Sequence, residues 1–278
     1  MSTHFSCTMC GRCCHDLRIP LSLAEARVWL RDGGDVQLFC EALPWPVEPS
    51  ADDAHAAYKR ARSFAAMSGT LPVRIVAMVV AAFDGPCPNL LPDLRCGAYD
   101  HRPRVCRIYP AEVNPFVAFD PSAKGCPPEA WESRYPVFEI AGRYVNETVQ
   151  ADIALRRGSD VADVPGKRAL CGELGVRMAA LANEGFVIVN PGRDAMDAAL
   201  VAAIAHVETS GQNARQNTAQ YSAQYTDEID PGAWTVISNR HATRATLASV
   251  DAEAAPPDAL MTSPMPQHYL GFHAASEA

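Results

Sequence analysis

The chain has 278 residues, 48% of them hydrophobic and 20% charged, which is enough for a sizeable core in one or two domains. A net charge of −8 gives no general attraction to nucleic-acid phosphates or to anionic lipid, so neither nucleic acid nor a membrane is expected as a partner. No basic segment followed by an apolar run opens the chain, and the longest apolar run, Ile75 to Phe83, is too short to cross a bilayer; the expected location is the cytoplasm. Ten cysteines in a reducing compartment point to metal or redox chemistry rather than to a disulfide framework.

Four of those thiols fall within the first predicted element, Cys7-Thr8-Met9-Cys10-Gly11-Arg12-Cys13-Cys14. A Cys-x-x-Cys turn lets two sulfurs converge on one metal, and Gly11 accepts the positive φ that such turns often need. The overlapping turns Cys7/Cys10 and Cys10/Cys13 match the first three ligands of the bacterial ferredoxin run. Neighbouring side chains diverge, so Cys14 is assigned to a different site. The fourth ligand of the first site then comes from far along the chain, and either Cys87 or Cys126, each followed by proline, can supply it.

Ser22 and Glu25 form a capping box that predicts a helix from Leu23 to about Asp32, stopped by Gly33-Gly34. Cys40 has no cysteine at ligand spacing and is read as a small buried residue. Pro44, Pro46 and Pro49 mark an extended connection, and Ser50 is expected to cap a second helix with Asp52 and Asp53 in its first turn and Lys59, Arg60 and Arg62 later. The run Val73 to Phe83 is either a buried helix or a strand, which periodicity does not decide. It leads into a second thiol-bearing stretch, from Cys87 through Cys96 and Cys106 to Tyr109-Pro110, in which prolines and arginines alternate with cysteines. That composition predicts a rigid loop. Cys126-Pro127-Pro128 follows, bringing the thiols outside Cys40 and Cys171 to eight, sufficient for two four-thiolate sites.

Beyond this, Val137–Ile140 and Arg143–Glu147 around Ala141-Gly142 predict a hairpin. Leu170, Leu174, Met178 and Leu181 share one helical face ending at Gly185, with Cys171 beside it as a core residue. Phe186 to Val189 reads as a short strand, and Asp194 caps a helix presenting Met196, Leu200, Ile204 and Val207. From Thr209 onward polar and small residues dominate, with Trp234-Thr235-Val236-Ile237 as one apolar anchor, so Thr209 to Ala278 is read as a mostly disordered tail.

The pattern Cys7-x2-Cys10-x2-Cys13-Cys14, then Cys96-x2-Tyr99-x2-Arg102-Pro103-x2-Cys106-Arg107-x-Tyr109-Pro110, then Cys126-Pro127, resembles the CxxCxxCC family of zinc- or iron-chelating proteins, also called YkgJ-like cysteine cluster proteins. The resemblance covers roughly residues 5 to 128. It implies metal binding, and it takes in the flagellin lysine N-methylases, which share the cysteine cluster and are associated with an iron–sulfur cluster.

The expected fold is mainly α, with irregular metal-stapled cysteine loops, few short strands (α+β at most) and a disordered C-terminal tail. Its expected divisions are a cysteine-cluster domain over 1–135, a helical appendage over 136–208 and the tail over 209–278. The expected metal ligands are Cys7, Cys10, Cys13, Cys14, Cys87, Cys96, Cys106 and Cys126, with His15 and His101 beside them rather than ligating. The favoured cofactor is a 4Fe-4S iron–sulfur cluster, with zinc as the alternative, and the expected partner is a protein or redox partner. Arg102, Arg104 and Arg107, with Tyr99 and Tyr109, are candidates to neutralise the cluster or to bind a carboxylate, against surface pairing with acids such as Asp93 and Asp100. Whether the chain is an enzyme is left open: iron–sulfur-dependent lysine methylation with S-adenosylmethionine is the runner-up to a binding or electron-transfer module, and no G-x-G-x-x-G loop or C-x3-C-x2-C run supports it.

Overall fold

The computed structural model describes residues 2–216 and 229–274. In chain order its elements are β1 (Ser2–His4), β2 (Arg18–Leu21), α1 (Leu23–Arg31), β3 (Asp35–Pro44), α2 (Ala54–Ala61), β4 (Phe64–Ser68), β5 (Leu71–Ala82) and α3 (Arg104–Ile108). There follow β6 (Val137–Ile140), β7 (Arg143–Tyr144), α4 (Glu147–Ala162), α5 (Val164–Glu173), β8 (Met178–Leu181), β9 (Gly185–Val189), α6 (Arg193–Gln216), β10 (Thr235–Ile237), α7 (His241–Ala248), β11 (Ala254–Ala255) and β12 (Gln267–Gly271). Two compact units result: Met1–Leu21 with Ala81–Ser159, and Ser22–Val80 with Asp160–Ala278. Among the described residues no helix is long and apolar enough to cross a membrane.

The second unit is built on a large mixed sheet. Strands β3, β8, β10 and β11 run parallel, while β9 pairs antiparallel with β3 and with β12, and β4 pairs antiparallel with β5. Helix α1 starts at the expected capping box: the Ser22 hydroxyl accepts from the Glu25 N–H at 3.3 Å, and the Glu25 carboxylate accepts from the Ser22 N–H at 2.9 Å. Helix α2 is capped by Asp53, whose carboxylate accepts from the Ala56 N–H at 2.9 Å, and not by Ser50. The run that periodicity left undecided is strand β5, because β4 supplies a partner for every residue from Leu71 to Ile75.

With 36% helix and 25% strand, the fold is α/β and not mainly α, which corrects the sequence-based expectation. The first error lies at Met178 to Leu181. Helix α5 ends at Glu173, Gly175 takes φ +63°, and the Val176 N–H bonds the Cys171 carbonyl at 2.8 Å, a turn that closes the helix. Met178 and Leu181 then lie on a strand hydrogen-bonded on both sides, by β3 and β10. Their spacing from Leu170 and Leu174 mimics a helical face without belonging to one.

The expected disordered tail is the second error. Residues 217–228 and 275–278 lie outside the described residues, but 229–274 contribute β10, α7, β11 and β12 to the second unit. Trp234, Val236 and Ile237 are fully buried, and β12 pairs with β9 along its whole length. Strands of two to five residues carry little apolar content of their own and take their stability from neighbours, so composition alone misjudges them.

Cys40 on β3 and Cys171 on α5 are both fully buried, and their thiols hydrogen-bond each other in the core of the second unit. On the same strand as Cys40, Glu41 has its carboxyl raised above the usual range by burial, with Lys59 and Arg62 partly offsetting it. A carboxyl that holds its proton more tightly in the folded chain opposes folding once ionised, above its folded pKa, and that opposition fades as pH falls toward the ordinary carboxylate value. Glu41→Gln is therefore expected to raise the thermal midpoint at pH 7 and to have less effect at pH 4. A lowered midpoint at pH 7 would contradict this.

The first unit has a smaller framework. Strand β6 pairs antiparallel with β1 and with β7, the β6–β7 turn being made by Ala141 and Gly142 at positive φ. Ile108, Ala111, Phe138 and Ile153 form its buried cluster, packed by Phe5, Val113, Phe119, Tyr144 and Val149. Most of the remaining backbone from Phe83 to Arg134 is loop and single turns.

A candidate metal centre in the first unit

All eight cysteines named as candidate ligands lie in the first unit, and Cys40 and Cys171 lie in the second. The segment Cys7 to Cys14 is folded by its own backbone. Gly11 adopts φ +69°, and the Cys14 N–H bonds the Gly11 carbonyl at 2.9 Å, closing a 3-10 turn over Arg12–Cys14. A Cβ at Gly11 would stand 3.3 Å from the Leu94 Cβ, so both conformation and space favour glycine here. The Met9 N–H points at the Cys7 sulfur, 3.4 Å away.

Two sets of backbone bonds carry this segment to the later thiols. At its start, the Ser6 N–H bonds the Ala130 carbonyl at 3.0 Å, the Phe5 N–H bonds that of Pro136 at 3.2 Å, and the Phe5 ring lies 4.8 Å from that of Trp131. This brings Cys7 toward Cys126. At its end, the Cys87 N–H bonds the Cys14 carbonyl at 2.7 Å, and the Asp16 N–H bonds that of Gly85 at 2.8 Å. The loop that follows is pinned by bonds from Leu90 N–H to the Cys87 carbonyl and from Gly97 N–H to the Asn89 carbonyl, with Leu90 bridged to Cys96. Cys106 is delivered by α3, which begins directly after Pro103.

The thiols surround a cavity of about 250 Å³ lined by Cys7, Cys10, Cys13, Cys14, Cys96, Cys106 and Cys126, together with Tyr99, Arg102, Arg107 and Tyr109. Cys87 lies behind it, close enough for its charge to act on Cys14 and Cys106. Among the described residues, no three histidine, cysteine or carboxylate side chains already converge on one ion position. The Cys13 and Cys14 sulfurs stand 4.0 Å apart.

Crowding pulls the ionisation of these thiols apart. The hydrogen bond from Cys14 lowers Cys13 to about 6, with help from the Arg102 guanidinium, and the same bond raises Cys14. Burial and the neighbouring thiolates push Cys106 up to about 12, and burial raises Cys87 and Cys126. The Tyr109 hydroxyl, raised by burial to about 12, accepts from the Gly125 N–H at 2.9 Å and donates to Cys126. A bound cation removes the mutual repulsion that holds these protons in place.

The three arginines separate into two roles. Arg107 approaches Asp152 at 3.2 Å and Arg104 at 3.8 Å, and Arg104 also bonds Ser159. Arg102 stacks 4.1 Å over the Tyr99 ring with its Nε buried and lacking a hydrogen-bond acceptor, and its charge acts on Cys13 and Cys106. Asp93 pairs with Arg95 instead of with any of the three. His15 donates Nδ1–H to the Gly11 carbonyl at 3.0 Å, and His101 is exposed on a 3-10 turn beside Tyr99. Sequence reasoning missed Asp152, which lies on α4 with no motif around it, and missed the lining residues Leu94, Asn146 and Val149.

A thiol-only donor set beside the half-buried Arg102, whose Nε lacks an acceptor, fits a metal centre of negative overall charge. Residues 6–127, a span that contains all eight cysteines, match the family described as "CxxCxxCC: Putative zinc- or iron-chelating domain". No curated protein and no solved structure matches the chain. Over residues 6–127 the chain is thus similar to the CxxCxxCC family of zinc- or iron-chelating cysteine clusters.

Proposed function

We propose that the first unit holds iron–sulfur (4Fe-4S) centres through Cys7, Cys10, Cys13, Cys14, Cys87, Cys96, Cys106 and Cys126, and that the chain serves electron transfer to a protein partner. The observation that carries the reading is the gathering of seven of these thiols around one cavity. The C-x2-C-x2-C spacing favours iron–sulfur over zinc. Arg102 would offer its unpaired N–H to a cluster sulfur, and Tyr109 would orient Cys126; hydrogen bonds and positive charge at such sulfurs raise the reduction potential. When bound, the centre would supply one-electron chemistry, and the residues of this chain would set its potential and its access to solvent.

Anaerobic purification followed by iron, zinc and acid-labile sulfide analysis tests the proposal. Iron and sulfide in comparable amounts are expected. Zinc without sulfide would reject the cluster, and absence of any metal would reject the site.

A further inference from the structure

We propose that an open groove on the first unit, formed by the loop from Asn114 to Phe119, strand β7 and helix α4, binds an extended acidic segment of a partner protein, one that sets a carboxylate beside an apolar side chain. The groove holds about 820 Å³, and no cysteine lines it, so the inference goes beyond the metal centre. Its apolar side is made locally. The Asn114 side-chain oxygen accepts from the Phe116 N–H at 3.0 Å and the Asn114 carbonyl from the Val117 N–H at 3.2 Å, a turn that leaves Phe116 and Val117 exposed at the groove. Adjacent large apolar side chains in the open mark a contact surface.

The polar side holds two cations. Arg157 on α4 donates its Nε–H to the Val113 carbonyl at 2.7 Å, which fixes the guanidinium and leaves its terminal N–H groups to give. Arg143 on β7 is exposed, directly after the Gly142 turn. Among the described residues no acid pairs with either, because the two carboxylates lining the groove are engaged elsewhere: Glu112 with Lys124, and Glu139 with the Thr3 hydroxyl at 3.1 Å and the Gly142 N–H. The Tyr144 hydroxyl, also on the groove, accepts from the Glu112 N–H at 2.7 Å and keeps its own proton to donate. Forked N–H donors with a hydroxyl beside them suit a carboxylate. The chain carries a net charge of −8, so an acidic segment is repelled by the surface at large and drawn to these unpaired guanidiniums.

The openness of the groove decides between a metabolite and a polypeptide. Small-molecule sites bury roughly 70–90% of their ligand. Here Asn114, Phe116, Val117, Arg143, Gln150 and Ala154 are all exposed, so a ligand is covered on one side only, as a polypeptide segment laid in a groove is. Phe138 lines the thiol cavity, and its ring lies 5.3 Å from that of Tyr144 and 5.5 Å from that of Phe119, both on the groove. A segment docked here sits one layer of rings from the thiols, which suits an electron-transfer partner; the docking itself does not rest on that reading.

Selection of a random peptide library on phage against the full-length chain, followed by fluorescence anisotropy of the enriched peptides, tests the proposal. Peptides that set aspartate or glutamate beside leucine, isoleucine or phenylalanine are expected. Arg143→Glu is expected to weaken their binding about tenfold or more, and exchanging the peptide's acid for lysine to restore it. Phe116→Ser, a change at an exposed side chain, is expected to weaken binding while leaving the thermal midpoint unchanged. Enriched peptides that lack an acid, or whose binding neither variant alters, would overturn the proposal, as would no enrichment at all. Saturable binding of inorganic phosphate alone, with no peptide enriched, would mark a free-anion site and overturn it too.

Discussion

Ending the chain after Glu208 is expected to abolish cooperative folding of the second unit. Strand β10 lies between β8 and β11, so its removal exposes one edge of β8 and leaves β11 without a partner, were any of it retained. Trp234, Val236 and Ile237 are fully buried, and Leu247 and Leu260 are nearly so. At roughly 1.5–3 kcal/mol for each buried large apolar side chain, their loss is on the order of 10 kcal/mol. That is comparable to the total stability of an ordinary domain, about 5–15 kcal/mol. Circular dichroism melting of the shortened chain should show no sharp transition from this unit. A midpoint within a few degrees of the full-length value would mean that the C-terminal strands contribute little.

Removing metal is expected to have an effect of similar size on the first unit. Among the described residues its thiol-bearing loops have no long helix or extended sheet of their own, and the buried apolar cluster beside them consists of Ile108, Ala111, Phe138 and Ile153. The segments at Cys7–Cys14, Cys87–Cys106 and Cys126 would be tied together by ligation across long stretches of chain. In such a case binding free energy becomes folding free energy, about 10–16 kcal/mol for structural zinc sites in small peptides. Treating the anaerobic protein with a strong chelator should therefore collapse hydrogen-exchange protection at Cys14, Leu90 and Gly97, while amides on β3 and β8 stay protected. Protection unchanged at all of these positions would show that the loops hold their shape without metal. The second unit, where Cys40 and Cys171 pack against each other, supplies the internal reference.

The thiol set was legible because its signal is local and chemical. Four cysteines within eight residues, and three more set among prolines and arginines, mark candidate ligands whatever fold carries them. The Ser22 capping box and the Ala141-Gly142 turn were legible for the same reason, since each satisfies its backbone groups with residues a few positions away. How the later thiols are held was not: Cys87 and Cys126 are both followed by proline, and it is the structure that bonds the Cys87 N–H to the Cys14 carbonyl and the Ser6 N–H to the Ala130 carbonyl near Cys126.

Architecture depended on partners distant in sequence. Met178 to Leu181 carries a helical spacing yet forms a strand, because parallel partners on both sides satisfy its N–H and C=O groups once α5 has closed at Gly175. The stretch from Trp234 to Gly271 looks too polar to fold alone, and it does not fold alone: β10 is received by β8 and β12 by β9. Asp152 likewise became visible only when α4 placed it against Arg104 and Arg107. Composition and spacing thus determine which groups can bind metal, because ligand chemistry resides in single side chains. Which groups meet, and whether a polar segment becomes a strand, is decided by tertiary structure, because a hydrogen-bond ladder belongs to a pair of strands and to neither one alone.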